Sequence, residues 1–532
     1  MKKYINGKVY IEQGNFAQAF AVEDGKIKNI GSNEEIKKLP GQEVDLGGKT
    51  VLPGIIDSHL HLRTMGETLI QLRLYNSKSI DEVIQRGRDY LKDHEGIQFI
   101  YGRGWNQDYF VEGEKRFVNR HDLDKISTEI PIIAERVCVH ILSCNTKALE
   151  MLRIDENTVI EGGEIYKDEN GELLGIFAEK ATEILRDIVP EDTKEDIQEK
   201  FLAGVNHALA NGLTSVQSCD VFMADHWDPI HGAIEELYME KKVPLRYYPQ
   251  FNLLTLDKIK DYVEKIYKRD GVYDETYQRG AIKLFKDGTL GARTALMSRP
   301  YNDDPSTKGI EAMTNEYVDS ICAYADQENI RVVTHCIGDE AIKRVVDSYE
   351  KVNHENNPNR NGLIHLQITD LPLLERIARL NINATYQPIF LEYDIMTVRD
   401  RVGDELASTS YAHNTLKNVL GAHTAYSTDA PVEDLNPFPC MYSAVTRQRV
   451  NGDPEGGLYP KERVSVEDAI DCYTIEGAYT EGNEKIKGRI QPGYLADFII
   501  LDRDIFTIDK MEIKDVKVEE TFINGESVYK RN

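Results

Sequence analysis

Through the middle of the chain, short apolar runs alternate with longer stretches whose apolar residues recur at helical spacing. The runs lie at Thr50 to Ile56, Leu213 to Gln217, Leu245 to Gln250, Ala281 to Phe285, Arg331 to Thr334, Gly362 to His365, Ile382 to Tyr386 and Ala422 to Ser427. Most are followed by amphipathic stretches, such as the one that begins near Gly338 and the one from Leu371 to Leu380. This alternation predicts parallel βα units, and eight such units close into a barrel. The expected fold class is α/β: a distorted (β/α)8 TIM-like barrel over residues 51–483.

The two ends have a different texture. Tyr4 to Tyr10 reads as a hairpin around Asn6-Gly7, and Ala19 to Ile27 as another around Asp24-Gly25. Near the other terminus, Ala496 to Leu501 is a buried-strand run, and Glu520 to Tyr529 is a hairpin around Asn524-Gly525. Neither end has enough strands to bury a core alone. Residues 1–50 and 484–532 are therefore expected to join into one small β-sandwich domain. About 150 residues separate the first predicted barrel strand from the second, too many for a structureless loop. They include strand-like pieces at Gln98 to Tyr101 and Ile130 to Ile133. An inserted subdomain over residues 76–195, above the barrel mouth, is the expectation.

Composition narrows the function classes. The chain has 532 residues, 41% hydrophobic and 29% charged, with a net charge of −26. A surface this acidic repels nucleic-acid phosphates and anionic membranes, so a small-molecule substrate is the expected partner. Met1-Lys2-Lys3-Tyr4-Ile5-Asn6-Gly7 lacks the apolar stretch of a secretory signal, and no window approaches a membrane span. The seven cysteines are scattered without a CxxC pair, which argues against a disulfide framework and a cysteine-bound zinc. A cytoplasmic location follows as the default. A homo-oligomer is compatible with the sequence, which does not fix the state.

The candidate chemistry sits at strand ends. In Pro53-Gly54-Ile55-Ile56-Asp57-Ser58-His59-Leu60-His61, alternation along a strand puts His59 and His61 on one side. Two imidazoles so placed clamp a borderline metal such as zinc. With 13 histidines in the chain, chance would also give such a pair. His335 and His365 end two later strands, and Asp429 follows the last. Parallel strands all end at one barrel mouth, where these side chains would converge. Lys283 lies inside an apolar strand, and either points outward to solvent or needs neutralisation or modification.

These residues sit in longer motifs: PGIIDSHLH at 53–61, GRGW at 102–105, GGEIYKDENGELLGIFAEKA at 162–181, GLTSVQ at 212–217, KLFKDGTLGARTA at 283–295, THCIGDEA at 334–341, STDAPV at 427–432, AVTR at 444–447 and GRIQPGYLADFIILDRD at 488–504. Together they cover nearly the whole chain, and it resembles the amidohydrolase superfamily, most closely its YtcJ-like metal-dependent hydrolases. The resemblance implies that Lys283 is carboxylated and bridges two divalent metals, zinc by the donor types. It implies that His59, His61 and Asp429 hold one metal, that His335 and His365 hold the other, and that Asp429 moves the catalytic proton. Departures from the family pattern are Asn106 for an aspartate, Ser427 for a glycine, Thr428 for a serine, and Cys138-Val139-His140 for Asp-Gly-His. None is a proposed ligand.

The expected activity is hydrolysis of a carbon–nitrogen bond, other than a peptide bond, in an amide-like small molecule: an N-acyl, N-formyl or cyclic amide. Deamination or ester cleavage on the same scaffold is the alternative enzyme reading, and a non-catalytic metal-containing regulatory protein is the non-enzyme one. His140, Trp105 and Asp287 are the candidate substrate contacts. Each has a plainer alternative: packing for His140 and Trp105, and for Asp287 the orientation of a metal ligand.

Overall fold

The computed structural model describes residues 1–532 except 139, 153, 225, 226, 354 and 355. Among the described residues, eight parallel strands form one sheet in chain order: β1 (Ile55–Leu60), β2 (Leu213–Ser218), β3 (Arg246–Phe251), β4 (Ala281–Phe285), β5 (Val332–Cys336), β6 (Gly362–His365), β7 (Asn383–Tyr386) and β8 (Thr424–Tyr426). Register pairs Phe285 with His335 and Cys336 with His365, which brings the ends of β4, β5 and β6 to one level. The sheet curls into a nearly closed barrel. Beyond β8, the Asp429 N–H donates to the His59 carbonyl at 3.0 Å and the His61 N–H to the Ala430 carbonyl at 2.7 Å. At the far end of β1, the Ile56 N–H instead donates to the Tyr473 carbonyl at 2.7 Å. The strands are buried along most of their length, as a parallel sheet covered on both faces requires.

The expected first strand, Thr50 to Ile56, divides at Gly54. Thr50–Pro53 belongs to a terminal sheet and β1 starts at Ile55. The hydrogen-bond partner changes at this point: the Gly54 N–H donates to the Asp497 carbonyl and the Ile55 N–H to the Gly212 carbonyl. Gly54 is required because a Cβ there would run into the Thr214 side chain. The shift carries β1 on to Leu60, so His59 sits within the strand.

The chain ends form two sheets. One runs Glu526–Lys530, Val518–Ile523, Phe498–Leu501, Thr50–Pro53, Lys8–Glu12 and Asn15–Ala17, joining strands from both termini. The other runs Lys26–Gly31, Ala19–Glu23, Lys2–Ile5 and Gln42–Asp45. Tyr4 and Phe20 from the second sheet pack with Val51, Phe498 and Phe522 from the first in one core. The Asp24-Gly25 and Asn524-Gly525 hairpins form as expected, with positive φ at both turn residues. The hairpin expected at Asn6-Gly7 does not form. Lys2–Ile5 pairs in one sheet and Lys8–Glu12 in the other, so Asn6-Gly7 is a crossover between sheets. Its positive φ at Asn6 is the same signal a hairpin turn would give.

Residues Gly66–Ala203 make a separate compact unit. Its sheet runs Gly163–Lys167, Leu173–Glu179, Ile141–Cys144, Ile132–Arg136, Ile100–Trp105 and Leu72–Arg73. Helix Ile80–Asp93, capped by Ser79, buries Ile80, Val83 and Ile84 in the core that holds Trp105. Among the described residues the cysteines are free, and no helix is long and apolar enough to cross a membrane.

Candidate metal centre

The ends of β1, β4, β5, β6 and β8 bring His59, His61, Lys283, His335, His365 and Asp429 to one mouth. His59, His365 and Asp429 place ligand atoms within 4.8 Å of one another. The rings of His59 and His61 are 5.4 Å apart, those of His59 and His365 5.9 Å, and those of His335 and His365 4.4 Å. Asp429 Oδ1 faces His59 Nε2 at 3.3 Å and His61 Nε2 at 3.5 Å. It makes no directed hydrogen bond to either. Asp429 reaches this position through a left-handed backbone, φ 57°, and His365 through φ 77°. Non-glycine residues held in that region store strain, which is common where function dictates direction.

Lys283 points inward. Its Nζ lies 3.7 Å above the Phe285 ring, and the residue is fully buried. Among the described residues Nζ has no hydrogen-bond partner. Burial pushes its ammonium down to about 8. Burial, helped by the nearby lysine charge, also holds His59 down at about 4 and His335 at about 3, and burial with the neighbouring His335 holds His365 well below its ordinary value. All three are neutral at pH 7, the form that binds a metal. Burial pushes the Asp429 carboxyl up, but the facing imidazoles more than reverse this and keep it ionised.

Hydrogen bonds select the free nitrogen of each ring. His59 Nδ1 bonds to Gln250 Oε1 at 2.6 Å, His61 Nδ1 to the Cys219 carbonyl at 2.7 Å and His365 Nδ1 to Gln387 Oε1 at 2.7 Å. Each acceptor requires the proton on Nδ1 and leaves Nε2 as the donor atom. His335 is reversed: its Nε2–H donates to the Gly288 carbonyl at 3.0 Å, which leaves Nδ1. The two glutamines are themselves oriented, since Gln250 Nε2 donates to the Ser58 carbonyl and Gln387 Nε2 to Ser427 Oγ. Sequence reasoning missed both. The available signal was an amide at the end of each of two apolar strands, Leu245 to Gln250 and Ile382 to Tyr386. The Gln387→Leu variant is expected to weaken metal binding by about 10- to 100-fold with unchanged folding. Competition with a chromogenic chelator measures this; unchanged affinity would assign Gln387 to packing alone.

Asp57 was also missed. Fully buried beneath the histidines, it accepts the His59 N–H, the Thr428 N–H and the Thr428 hydroxyl, the last at 2.7 Å. It thereby ties β1 to the segment that presents Asp429. Burial pushes its carboxyl up to about 7 against these donors. Two departures from the family pattern thus have local roles: Ser427 anchors Gln387 and Thr428 anchors Asp57.

The expected substrate contacts fare differently. Asp287 accepts backbone N–H groups from Ile337, Gly338 and Leu296, and Oδ1 lies 3.6 Å from His335 Nε2. Both carboxylate oxygens are engaged in holding the loops around His335. Trp105 has no exposed surface, and its Nε1–H donates to the Ala134 carbonyl in the core of the 66–203 unit. That is a packing position. His140, in the same unit, is exposed and pairs with Glu179 at 3.1 Å on the wall of a cavity of about 480 Å³ that Cys138 and Tyr166 also line. Val139, between Cys138 and His140, lies outside the described residues. Asn106 caps the short turn Gln107–Tyr109 and accepts from Arg136.

This strand-end set in a nearly closed barrel coincides with a sequence match: the profile of the amidohydrolase family covers residues 42–529. The chain belongs to the amidohydrolase family. It is 34% identical over 532 residues to the Bacillus subtilis (strain 168) protein named as amidohydrolase YtcJ, covering 98% of each chain. It is 25% identical to an N-substituted formamide deformylase of Arthrobacter pascens, over 97% of this chain and 95% of that one. A metal-dependent hydrolase from Pyrococcus horikoshii OT3 has the same fold, with TM-score 0.78 and 30% identity, over 96% of this amidohydrolase and 99% of that chain.

Proposed function

We propose that this amidohydrolase hydrolyses a carbon–nitrogen bond, other than a peptide bond, in an amide-like small molecule: an N-acyl, N-formyl or cyclic amide. The observation that carries this reading is Lys283, an inward-facing, fully buried amine that lies among neutral histidines and has no hydrogen-bond partner among the described residues. A buried ammonium there is costly. Joining the neutral amine to carbon dioxide, with loss of one proton, gives a carbamate anion, and an anion ringed by imidazoles and Asp429 suits two divalent cations. His59, His61 and Asp429 would hold one, His335 and His365 the other, with carboxylated Lys283 between them. The nitrogen-rich donors favour zinc. When bound, the metals polarise the substrate carbonyl and lower the pKa of the attacking water.

The remaining steps belong to the chain. Asp429, ionised and aimed at the mouth, accepts the proton of the attacking water at its carboxylate. It then gives that proton to the leaving nitrogen, which departs as a neutral amine. Asp57 and the His59 carbonyl fix the backbone that presents Asp429, and Gln250 and Gln387 hold two of the rings. The similarity to a formamide deformylase favours N-formyl amides among the substrates. The test is amine release from a panel of N-formyl, N-acyl and cyclic amides by metal-loaded and chelator-stripped protein. Metal-dependent release is expected for at least one class. Deamination or ester cleavage with no amide turnover would replace this reading.

A further inference from the structure

The metal-facing side chains form a polar floor, and three phenyl rings surround it. Phe222 follows β2, Phe285 ends β4, and Phe390 lies in the turn Pro388–Phe390 after β7. Each touches the floor. The Phe222 ring meets His61 edge-on at 5.7 Å, Phe285 lies 5.2 Å from His335, and Phe390 stacks on His365 at 5.8 Å and 15°. None of the three is fully buried, and Phe222 is 46% exposed. Large apolar side chains left open beside a set of convergent polar groups mark a ligand site.

Their mutual geometry says more. Phe222 and Phe285 stand 5.3 Å apart at 81°, one face meeting one edge. Two rings at a right angle form a corner in which a third ring stacks on one and meets the other edge-on, the arrangements aromatic groups prefer. A flexible alkyl chain would use only the apolar area. We infer that Phe222, Phe285 and Phe390 form a specificity subsite for an aryl substituent attached directly to the group that undergoes hydrolysis. The inference rests on the metal-dependent reading above and adds the substrate's apolar part, with Phe222 as the residue that determines it.

The test separates the two ideas by using ligands that share one metal-binding group. Acetohydroxamate and benzohydroxamate are titrated calorimetrically into the metal-loaded protein. Benzohydroxamate is expected to bind at least about tenfold tighter, equivalent to about 1.4 kcal/mol. In Phe222→Ala this ratio should fall severalfold, and in Phe222→Leu, which keeps apolar area but not the ring, it should lie between. Phe222 is half exposed, so neither change opens a core. Equal binding of the two ligands to the unmodified protein, or a ratio untouched by Phe222→Ala, would overturn the subsite and leave the metal centre standing. No binding of either ligand would overturn the metal centre and the subsite with it.

Discussion

Replacing Lys283 with alanine is expected to remove most of the bound metal and to lower kcat/KM by about a thousandfold, or roughly 4 kcal/mol of transition-state stabilisation. The proposed ligands come from several strands, and the lysine is the group proposed to lie between both halves of the set. Without it, the imidazoles face one another with only Asp429 to balance two cations. Added formate or acetate should restore part of both losses by supplying an anion to the space. The metal-free protein should respond in the opposite direction. There Lys283 is a buried amine without a hydrogen-bond partner among the described residues, its ammonium pushed down by burial from 10.5 to about 8. A base with a depressed folded-state pKa destabilises the fold wherever the unfolded chain is protonated. The cost, roughly 3 kcal/mol, is full below about pH 8 and fades as the pH rises to 10.5. Metal-free Lys283→Met should therefore be more stable to denaturant than the metal-free parent at pH 7, with the gap closing toward pH 10.5. Elemental analysis, turnover and denaturation together decide the matter. Full metal content and activity in Lys283→Ala would end the bridging role.

Asp429→Asn is expected to lower kcat by about a thousandfold or more, in the range lost with a proton-transferring group, while changing KM little. The substitution keeps the shape of the side chain. It also suits the backbone, because asparagine tolerates the left-handed region that Asp429 occupies at φ 57°. What it removes is the charge facing His59 and His61 and the site that takes the water's proton. Some loss of metal should accompany this, since Asp429 is also a proposed ligand, so turnover is measured per bound metal. Asp429→Ala adds a backbone penalty and should be less stable than Asp429→Asn. If turnover per metal in Asp429→Asn matched the parent, proton transfer would have to be assigned elsewhere.

Much of this protein was legible in its residues because the signals were local. Eight apolar runs separated by amphipathic stretches are what a parallel barrel looks like along a chain, and seven of the eight appear where they were expected within a few residues. The positions of His59, His335, His365 and Asp429 at strand ends could be read the same way, since parallel strands share one mouth. Hairpins at Asp24-Gly25 and Asn524-Gly525 followed from turn chemistry. Other features depended on which distant segment a residue meets. Asn6-Gly7 carries the hairpin signal but crosses between sheets, because strand pairing is decided by partners far along the chain. Thr50 to Ile56 is one apolar run, yet it changes sheets at Gly54 where Thr214 needs the space of a missing Cβ. Trp105 is buried in a core, Asp287 is occupied by three backbone donors, and Lys283 faces inward. Gln250 and Gln387 carry no motif of their own, and Asp57 sits inside the PGIIDSHLH motif without a sign of its role; all three matter because folding sets them against His59, His365 and the backbone beneath Asp429. The sequence by itself determined the strands and the donor chemistry, through periodicity and residue type. Only the tertiary structure decided direction, pairing and the free nitrogen of each imidazole, because these depend on hydrogen-bond partners on other strands and loops, 22 to 191 residues away for the four rings.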